Sequence, residues 1–343
     1  MLPAKKIRVL IVDDSLIFRE VIAGGLSKDS NIEIVATAND VFDAYNKVVI
    51  YKPDVMTCDI EMPKMSGIQL IKKVTHNFSI PVIVVTSLDG VVFESMNAGA
   101  VDFVTKPDIK STNNVERFIN EMTNKIKTAS LANVIRLNTG NSSSKIADNY
   151  DFCTNKVIAI GASTGGTEAI YSILKCLPAN IPGILIVQHI PPNFSRMFAE
   201  RLNNSTDLTV KEAKTGDYLK NGTVFIAPGD HHMIVKKEGK KYKIECFNGK
   251  KVNGHCPSAD VLFDSVAKEA GNKAIGIILT GMGYDGARGL LSMRQNGART
   301  IGQDEGSSIV YGMPKVAYNI GAVETQASLQ RIPNMICSLL QEE

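Results

Sequence analysis

The 343-residue chain sets 38 lysines and arginines against 35 aspartates and glutamates, and a formal net charge of +3 is too small to point to nucleic acid. With 44% hydrophobic residues it is long enough for two domains with full cores. Its six cysteines show no C-x-x-C spacing, which argues against a disulfide framework or a zinc site and for a reducing cytoplasm. The opening MLPAKKIRVLIVDD places acids where a signal-peptide cleavage region should be, so neither a signal peptide nor membrane insertion is expected.

The first predicted strand, Lys6 to Val12, ends in Asp13-Asp14. A second, Asp54 to Cys58, ends in Asp59 followed by Ile60-Glu61-Met62-Pro63; a third, Pro81 to Val85, ends in Thr86-Ser87; a fourth, Phe103 to Thr105, ends in Lys106-Pro107. Polar residues thus gather at successive strand ends. Three carboxylates at one sheet edge repel one another unless a hard cation sits among them, and Mg²⁺ suits an all-oxygen site. A lysine and a hydroxyl beside them would complete a pocket for a phosphoryl group. A helix over roughly 113–132 should close this domain, and the Asn-, Ser- and Gly-rich stretch 136–151 reads as a flexible linker.

Beyond the linker, the apolar run KVIAIGASTGG at 156–166 passes directly from strand to glycine-rich turn. In G-x-S-x-G the glycines relieve a crowded turn and leave the Ser163 hydroxyl accessible as a nucleophile. The same glycines would suit a phosphate-cradling loop, or a plain tight turn. A nucleotide fold would want an acid at the end of the next strand, yet the run 183–187 ends in Gln188-His189. A further strand, Ala274 to Leu279, leads into a turn that presents Asp285. Ser163, His189 and Asp285 each follow a predicted strand, and in a parallel sheet those ends line one edge. A serine needs an imidazole to take its proton and a carboxylate to orient that imidazole, so the three together favour the catalytic reading. Short strands at 223–227, 232–236 and 241–246 follow, the last two joined as a hairpin at Glu238-Gly239.

At this point two resemblances cover all but the linker. Residues 1–125 resemble a two-component receiver domain, in VDDS at 12–15, D-x-x-M-P at 59–63, VTSL at 85–88, GA at 99–100 and DFVTKP at 102–107. Residues 154–343, after a linker at 126–153, resemble the catalytic domain of the chemotaxis response-regulator methylesterases. The motifs are GASTGGTEA at 161–169, QHIPP at 188–192, APGDHHM at 227–233, PSADVLF at 257–263, LTGMGYDGA at 279–287 and QDEGSSIVYGMP at 303–314. The implied fold is α/β throughout: a flavodoxin-like receiver with a five-stranded parallel sheet, then a doubly wound parallel sheet with an antiparallel hairpin.

The resemblance also implies roles. Asp59 would accept a phosphoryl group from a chemotaxis histidine kinase; Asp13, Asp14, Asp59 and the backbone carbonyl of Glu61 would hold Mg²⁺; Thr86 and Lys106 would contact the phosphoryl oxygens. Phe103 matches the switch aromatic, and Lys106-Pro107 resembles the receiver's cis peptide bond. Ser163 would be the nucleophile, His189 the general base and then acid, Asp285 the orienting carboxylate, and the N–H groups of Thr164 and Met282 the oxyanion hole. No cofactor serves the hydrolase chemistry. The implied substrates are glutamyl methyl esters and glutamines of methyl-accepting chemoreceptors, and the implied enzyme is a cytoplasmic monomer switched on by phosphorylation.

The other conspicuous residues have plainer readings. His231-His232 point to opposite strand faces, which disfavours a metal site. His255 and Cys256 read as a loop pair, Tyr284 as a lining or cover of the crevice, and Arg196 as a surface charge or a contact for an acidic substrate. A DNA-binding response regulator would need a helix-turn-helix and basic face after the linker, and neither is visible. A non-catalytic adaptor with a degenerate esterase fold would be expected to lack one of the three catalytic types.

Overall fold

A computed structural model of the chain describes residues 5–62, 66–87, 89–108, 111–134 and 156–341. It divides into two compact units, residues 1–140 and 141–343. In the first, five parallel strands, β1 (Ile7–Val12), β2 (Ile32–Ala38), β3 (Val55–Asp59), β4 (Val82–Thr86) and β5 (Asp102–Thr105), stand in the order β2-β1-β3-β4-β5. They alternate with α1 (Leu16–Leu26), α2 (Val41–Tyr51), α3 (Gly67–Phe78), α4 (Val92–Asn97) and α5 (Thr112–Ala129). The strands read as continuous apolar runs because helices cover both faces. Val9 and Ile11 pack on one side against Ile22, Leu26, Phe118 and Met122. The order is flavodoxin-like, and it reverses between β1 and β3.

Helix α5 runs into the segment expected as linker. Ile126 and Ala129 are fully buried in the receiver core, so the chain stays part of that unit at least to Ala129. The expected linker from 135 onward, with Pro63 and Leu88 of the receiver motifs, lies outside the described residues.

The second unit holds a seven-stranded, wholly parallel sheet. Its strands are β6 (Val157–Ala162), β7 (Ile184–Gln188), β8 (Thr209–Glu212), β9 (Thr223–Ile226), β12 (Ala274–Ile278), β13 (Arg299–Gln303) and β14 (Thr325–Ala327), in the order β14-β13-β12-β6-β7-β9-β8. The hairpin expected between them is present as β10 (His232–Glu238) and β11 (Lys241–Phe247), with Gly239 at φ +61 in the turn. Around the sheet lie α6 (Gly166–Leu174), α7 (Phe194–Ser205), α8 (Ala259–Ala270), α9 (Ala287–Gln295), α10 (Met313–Asn319) and α11 (Ile332–Gln341). Helix α8 packs closely over β6: a Cβ on Gly161 would come within 2.9 Å of the Ala259 Cβ and 3.1 Å of the Phe263 ring. Phe263 is fully buried, a burial that stabilises by about 1.5–3 kcal/mol.

Both sheets place their polar residues where strand order reverses. From β6 the chain builds outward through β7 on one side, and β12 flanks β6 on the other, so the strand order reverses between β6 and β12. The β1/β3 junction does the same in the first unit.

Candidate functional site

Asp13 follows β1 and Asp59 ends β3, on either side of the receiver's switch point. Both are 1% exposed, whereas Asp14 faces solvent. Oxygens of Asp13, Asp14 and Asp59 lie within 4.8 Å of one another. Lys106, just past β5, reaches between two of them, its Nζ 2.6 Å from Asp59 Oδ2 and 2.8 Å from Asp13 Oδ2, while also standing 4.7 Å from the centre of the Phe18 ring. Burial pulls the lysine's pKa down, but its hydrogen bonds to the two aspartates outweigh that and raise it. Burial, reinforced by the Asp59 charge, holds Asp13 above its ordinary value even with Lys106 beside it. This cluster of hard oxygen donors, with too few cations for its carboxylates, fits a divalent ion of the Mg²⁺ kind. The N–H of Glu61 donates to Asp59 Oδ1 at 3.1 Å, its carboxylate accepts from Ser87 Oγ at 2.8 Å, and Thr86 is buried at the end of β4. Gly67 is required next to Asp59, since a Cβ there would fall 2.2 Å from the Asp59 carbonyl oxygen. Phe103 is buried, with Lys125 Nζ 4.9 Å above its ring.

One expectation fails here. Among the described residues the cis peptide bond is Cys256–Pro257, and Lys106–Pro107 is trans. The two isomers before proline differ by only about 1 kcal/mol, so the Lys-Pro motif does not fix the choice. Lys106 meets both aspartates in the trans form.

In the second unit Ala162 pairs with Gln188 across β6 and β7, so Ser163 and His189 are the next residues beyond a paired position. The His189 N–H donates to the Ala162 carbonyl at 3.1 Å, and buried Gln188 donates from Nε2 to the Ser163 carbonyl at 2.9 Å. From the other side, the Ser163 N–H donates to the Thr280 carbonyl at 3.0 Å. A Cβ on Gly281 would lie 2.6 Å from the Ser163 Cβ, so the Gly281 backbone lies close against the serine. The sharp conformation falls on Gly165, at φ +77, where helix α6 begins. Ser163 itself is outside the left-handed region, because glycine two residues on absorbs the turn.

The His189 Nε2 lies 2.9 Å from Asp285 Oδ2, with the two side chains 8% and 1% exposed. The carboxylate has further donors. Oδ2 also accepts from the Ala259 N–H at 2.7 Å, and Oδ1 accepts from Ser258 Oγ at 2.6 Å, Asn253 Nδ2 at 2.8 Å and the Asp260 N–H at 3.4 Å. Ser258 is the N-cap of α8 yet makes no cap bond of its own; Asp285 caps the helix in its place. Burial alone would raise the Asp285 pKa, but the bonds from His189, Ser258 and Asn253 overcome it and hold the group well below the usual carboxylate range. Since Nε2 serves the carboxylate, the remaining ring nitrogen is Nδ1, which is buried and has no hydrogen-bond partner among the described residues.

Thr164 is buried at the start of the turn, and Met282 and Tyr284 are exposed on the loop that carries Asp285. Arg196 is a surface residue paired with Glu200 at 3.0 Å. His232 is buried and bonds the Lys250 carbonyl and the Ser258 N–H at 2.9 and 3.3 Å, while His231 approaches the Gly229 carbonyl. The residues that sequence reasoning missed are Asn253, Ser258 and His255. The first two bind Asp285, and the His255 ring stacks on that of His189 with centroids 3.7 Å apart and planes 6° from parallel. The signal for Asn253 was present, because Asn-Gly at 253–254 marks a tight turn, but nothing in the local sequence says what that turn touches.

The response regulator receiver domain model matches residues 9–115, and the CheB methylesterase model matches residues 158–336. A protein-glutamate methylesterase/protein-glutamine glutaminase of Syntrophomonas wolfei is 52% identical over 340 residues, covering 98% of this chain and 99% of that one. The counterpart from Sulfurimonas denitrificans is 47% identical over 348 residues, again with 98% and 99% covered. Among solved structures, the CheB methylesterase catalytic domain of Thermotoga maritima is 37% identical, with a TM-score of 0.53, and covers 55% of this chain and 100% of that one. A match of this length, on a chain whose two sheets have the receiver and methylesterase folds, means that the protein belongs to the CheB methylesterase family.

Proposed function

We propose that the protein is a phosphorylation-activated serine hydrolase that demethylates glutamyl methyl esters and deamidates glutamines on the cytoplasmic parts of chemoreceptors. The observation that carries this reading is the buried His189–Asp285 pair, 2.9 Å apart, beside Ser163 at the switch point of the parallel sheet. Relatives named for both activities support the substrate class.

The bond from Nε2–H to Asp285 fixes the tautomer in which Nδ1 carries the free lone pair. His189 therefore takes the Ser163 proton at Nδ1, the opposite ring nitrogen from that used in the chymotrypsin arrangement. Ser163 Oγ attacks the glutamyl carbonyl, and the N–H groups of Thr164 and Met282 receive the developing oxyanion, at roughly 3–4 kcal/mol for such a donor. His189 then returns the proton to the leaving group, releasing methanol from an ester or ammonia from a glutamine. Water, activated by the same nitrogen, hydrolyses the acyl-enzyme. Asp285 stays ionised throughout, which stabilises the imidazolium without accepting its proton.

In the receiver, Asp59 is the phosphoacceptor for a chemotaxis histidine kinase, and Thr86 and Lys106 contact the phosphoryl oxygens. Asp13, Asp14, Asp59 and the Glu61 carbonyl would hold Mg²⁺, which would offset the charge of carboxylates and phosphoryl oxygens together. Phe103 serves as the switch aromatic. The receiver spans residues 1–125, with α5 extending it to Ala129, and the hydrolase spans 154–343. A monomer in the cytoplasm completes the proposal; no helix among the described residues is long and apolar enough to cross a membrane.

One receptor fragment carrying both a glutamyl methyl ester and a glutamine tests the shared site. Wild-type protein should release methanol and ammonia, and Ser163→Ala should lose both. Loss of only one would separate the two activities and contradict a single nucleophile.

A further inference from the structure

The segment between β11 and α8 delivers side chains to two members of the triad at once. Val252 and His255 exchange two backbone hydrogen bonds, each 2.9 Å, around Asn253 and Gly254 at φ +53 and +86. Positive φ at both central residues is the geometry of a type I′ turn, which places Val252 and His255 side by side. From this turn Asn253 Nδ2 reaches Asp285 Oδ1 at 2.8 Å and Asp260 Oδ2 at 2.7 Å, while the His255 ring lies flat on His189. Buried His232 fixes both ends of the segment, at the Lys250 carbonyl and the Ser258 N–H. The stack is therefore a built contact between anchored groups.

We propose that His255 is a positioning residue, whose ring is the plate that holds the His189 imidazole in the plane where Nε2 meets Asp285 and Nδ1 is turned to Ser163. This inference rests on His189 being the general base. A single hydrogen bond to Asp285 restrains the imidazole at one point and leaves it free to tilt about that contact. A parallel ring at 3.7 Å removes the tilt. The groups that bear electrostatically on His255 are His189, Asp285 and Lys251, and burial, followed by the His189 charge, lowers its pKa to about 4. His255 is thus uncharged at neutral pH. A neutral π-face beside the imidazolium that forms during turnover attracts the charge, whereas a second cation would repel it.

The test uses the full chain with acetyl phosphate and a methylated receptor fragment, and measures kcat and KM for methanol release. Misplacement of a reacting group by about 1 Å costs on the order of 100-fold, so His255→Ala should lower kcat by about 10- to 100-fold and leave KM within about 2-fold. His255→Phe supplies a flat ring and should recover kcat to within about 3-fold of wild type. His255→Leu fills the space without a plane and should fall with the Ala variant; it also keeps the test sound if His255→Ala does not fold. Wild-type kcat in either the Ala or the Leu variant would overturn the proposal, as would equal losses in Phe and Leu variants or a loss confined to KM. His189→Ala separates the two levels of argument: high activity there sinks the triad and this inference with it, whereas a dead His189→Ala beside a fully active His255→Leu sinks this inference alone.

Discussion

The Ser258 hydroxyl donates to Asp285 Oδ1 at 2.6 Å, so the residue that should cap α8 turns its side chain to Asp285 instead. Asp285 is held by five donors: His189 beyond β7, Asn253 on the loop after β11, and Ser258, Ala259 and Asp260 at the start of α8. Ser258→Ala removes one of them, and the other four should keep the carboxylate in place; kcat is expected to fall by less than about 10-fold, because a bond to a charged group is worth roughly 1.5–3 kcal/mol only when nothing replaces it. Asp285→Asn is different. An amide nitrogen would meet either the His189 Nε2–H or the helix N–H groups, and the wrong tautomer should lower kcat by about 10³- to 10⁴-fold. Steady-state methanol release measures both.

Ser163→Ala and His189→Ala should each reduce turnover by about 10⁵-fold or more, and the double variant should be no worse than either single one, since the pair acts as a unit. Additive losses in the double variant would mean that the two residues act in separate steps. The Asp285→Asn variant should retain more rate than either, because the carboxylate only orients and stabilises.

In the receiver, Asp59→Asn should take up no label from a radiolabelled phosphodonor, because an amide cannot form an acyl phosphate. Chelation of Mg²⁺ should suppress labelling of the wild type. Lys106→Ala should leave Asp13 and Asp59 as unneutralised buried neighbours, a change that destabilises the apo receiver in a thermal melt and that added Mg²⁺ should partly reverse. A melt unaffected by Mg²⁺ in that variant would count against metal binding by these carboxylates.

The His255 pKa gives a stability signature with a definite sign. It is about 4 in the folded chain against an ordinary 6.5, so between those values the unfolded chain binds the extra proton. Stability from this group is complete above about pH 6.5, falls as the pH drops toward 4 and levels off below that. Asp285, with its folded pKa depressed, loses its contribution only below the ordinary carboxylate range near pH 4, so the two windows do not overlap. The melting temperature of His255→Phe should therefore depend less steeply on pH than that of the wild type between pH 6.5 and 4. Equal slopes would show that His255 takes up its proton as readily in the folded protein as in the unfolded chain.

The strand ends were legible because a parallel strand buried on both faces reads as an unbroken apolar run, and the first polar residue after it marks the functional edge. That is why Asp13, Asp59, Ser163 and His189 stand out one after another. Asn253, His255 and Ser258 were not legible in the same way. They follow a hairpin rather than a sheet strand, and their partners lie 27 to 66 residues away, so only the fold brings them to Asp285 and His189. His255 even read as a plain loop residue. The turn was legible as well: the glycines of G-x-S-x-G are expected to relieve its crowding, and Gly165 takes the left-handed dihedral. The short edge strands β8 and β14 carry four and three residues, too few for any periodicity to register.

The most direct test of the central claim is methanol release from a methylated chemoreceptor fragment by the full-length protein, with and without acetyl phosphate. A coupling of about 1–3 kcal/mol predicts a rise of roughly 5- to 150-fold on addition of the phosphodonor, absent in Asp59→Asn, with methanol release from Ser163→Ala lower than wild type by about 10⁵-fold or more. Equal rates with and without phosphodonor in a protein shown to be phosphorylated at Asp59, or undiminished methanol from Ser163→Ala, would contradict it.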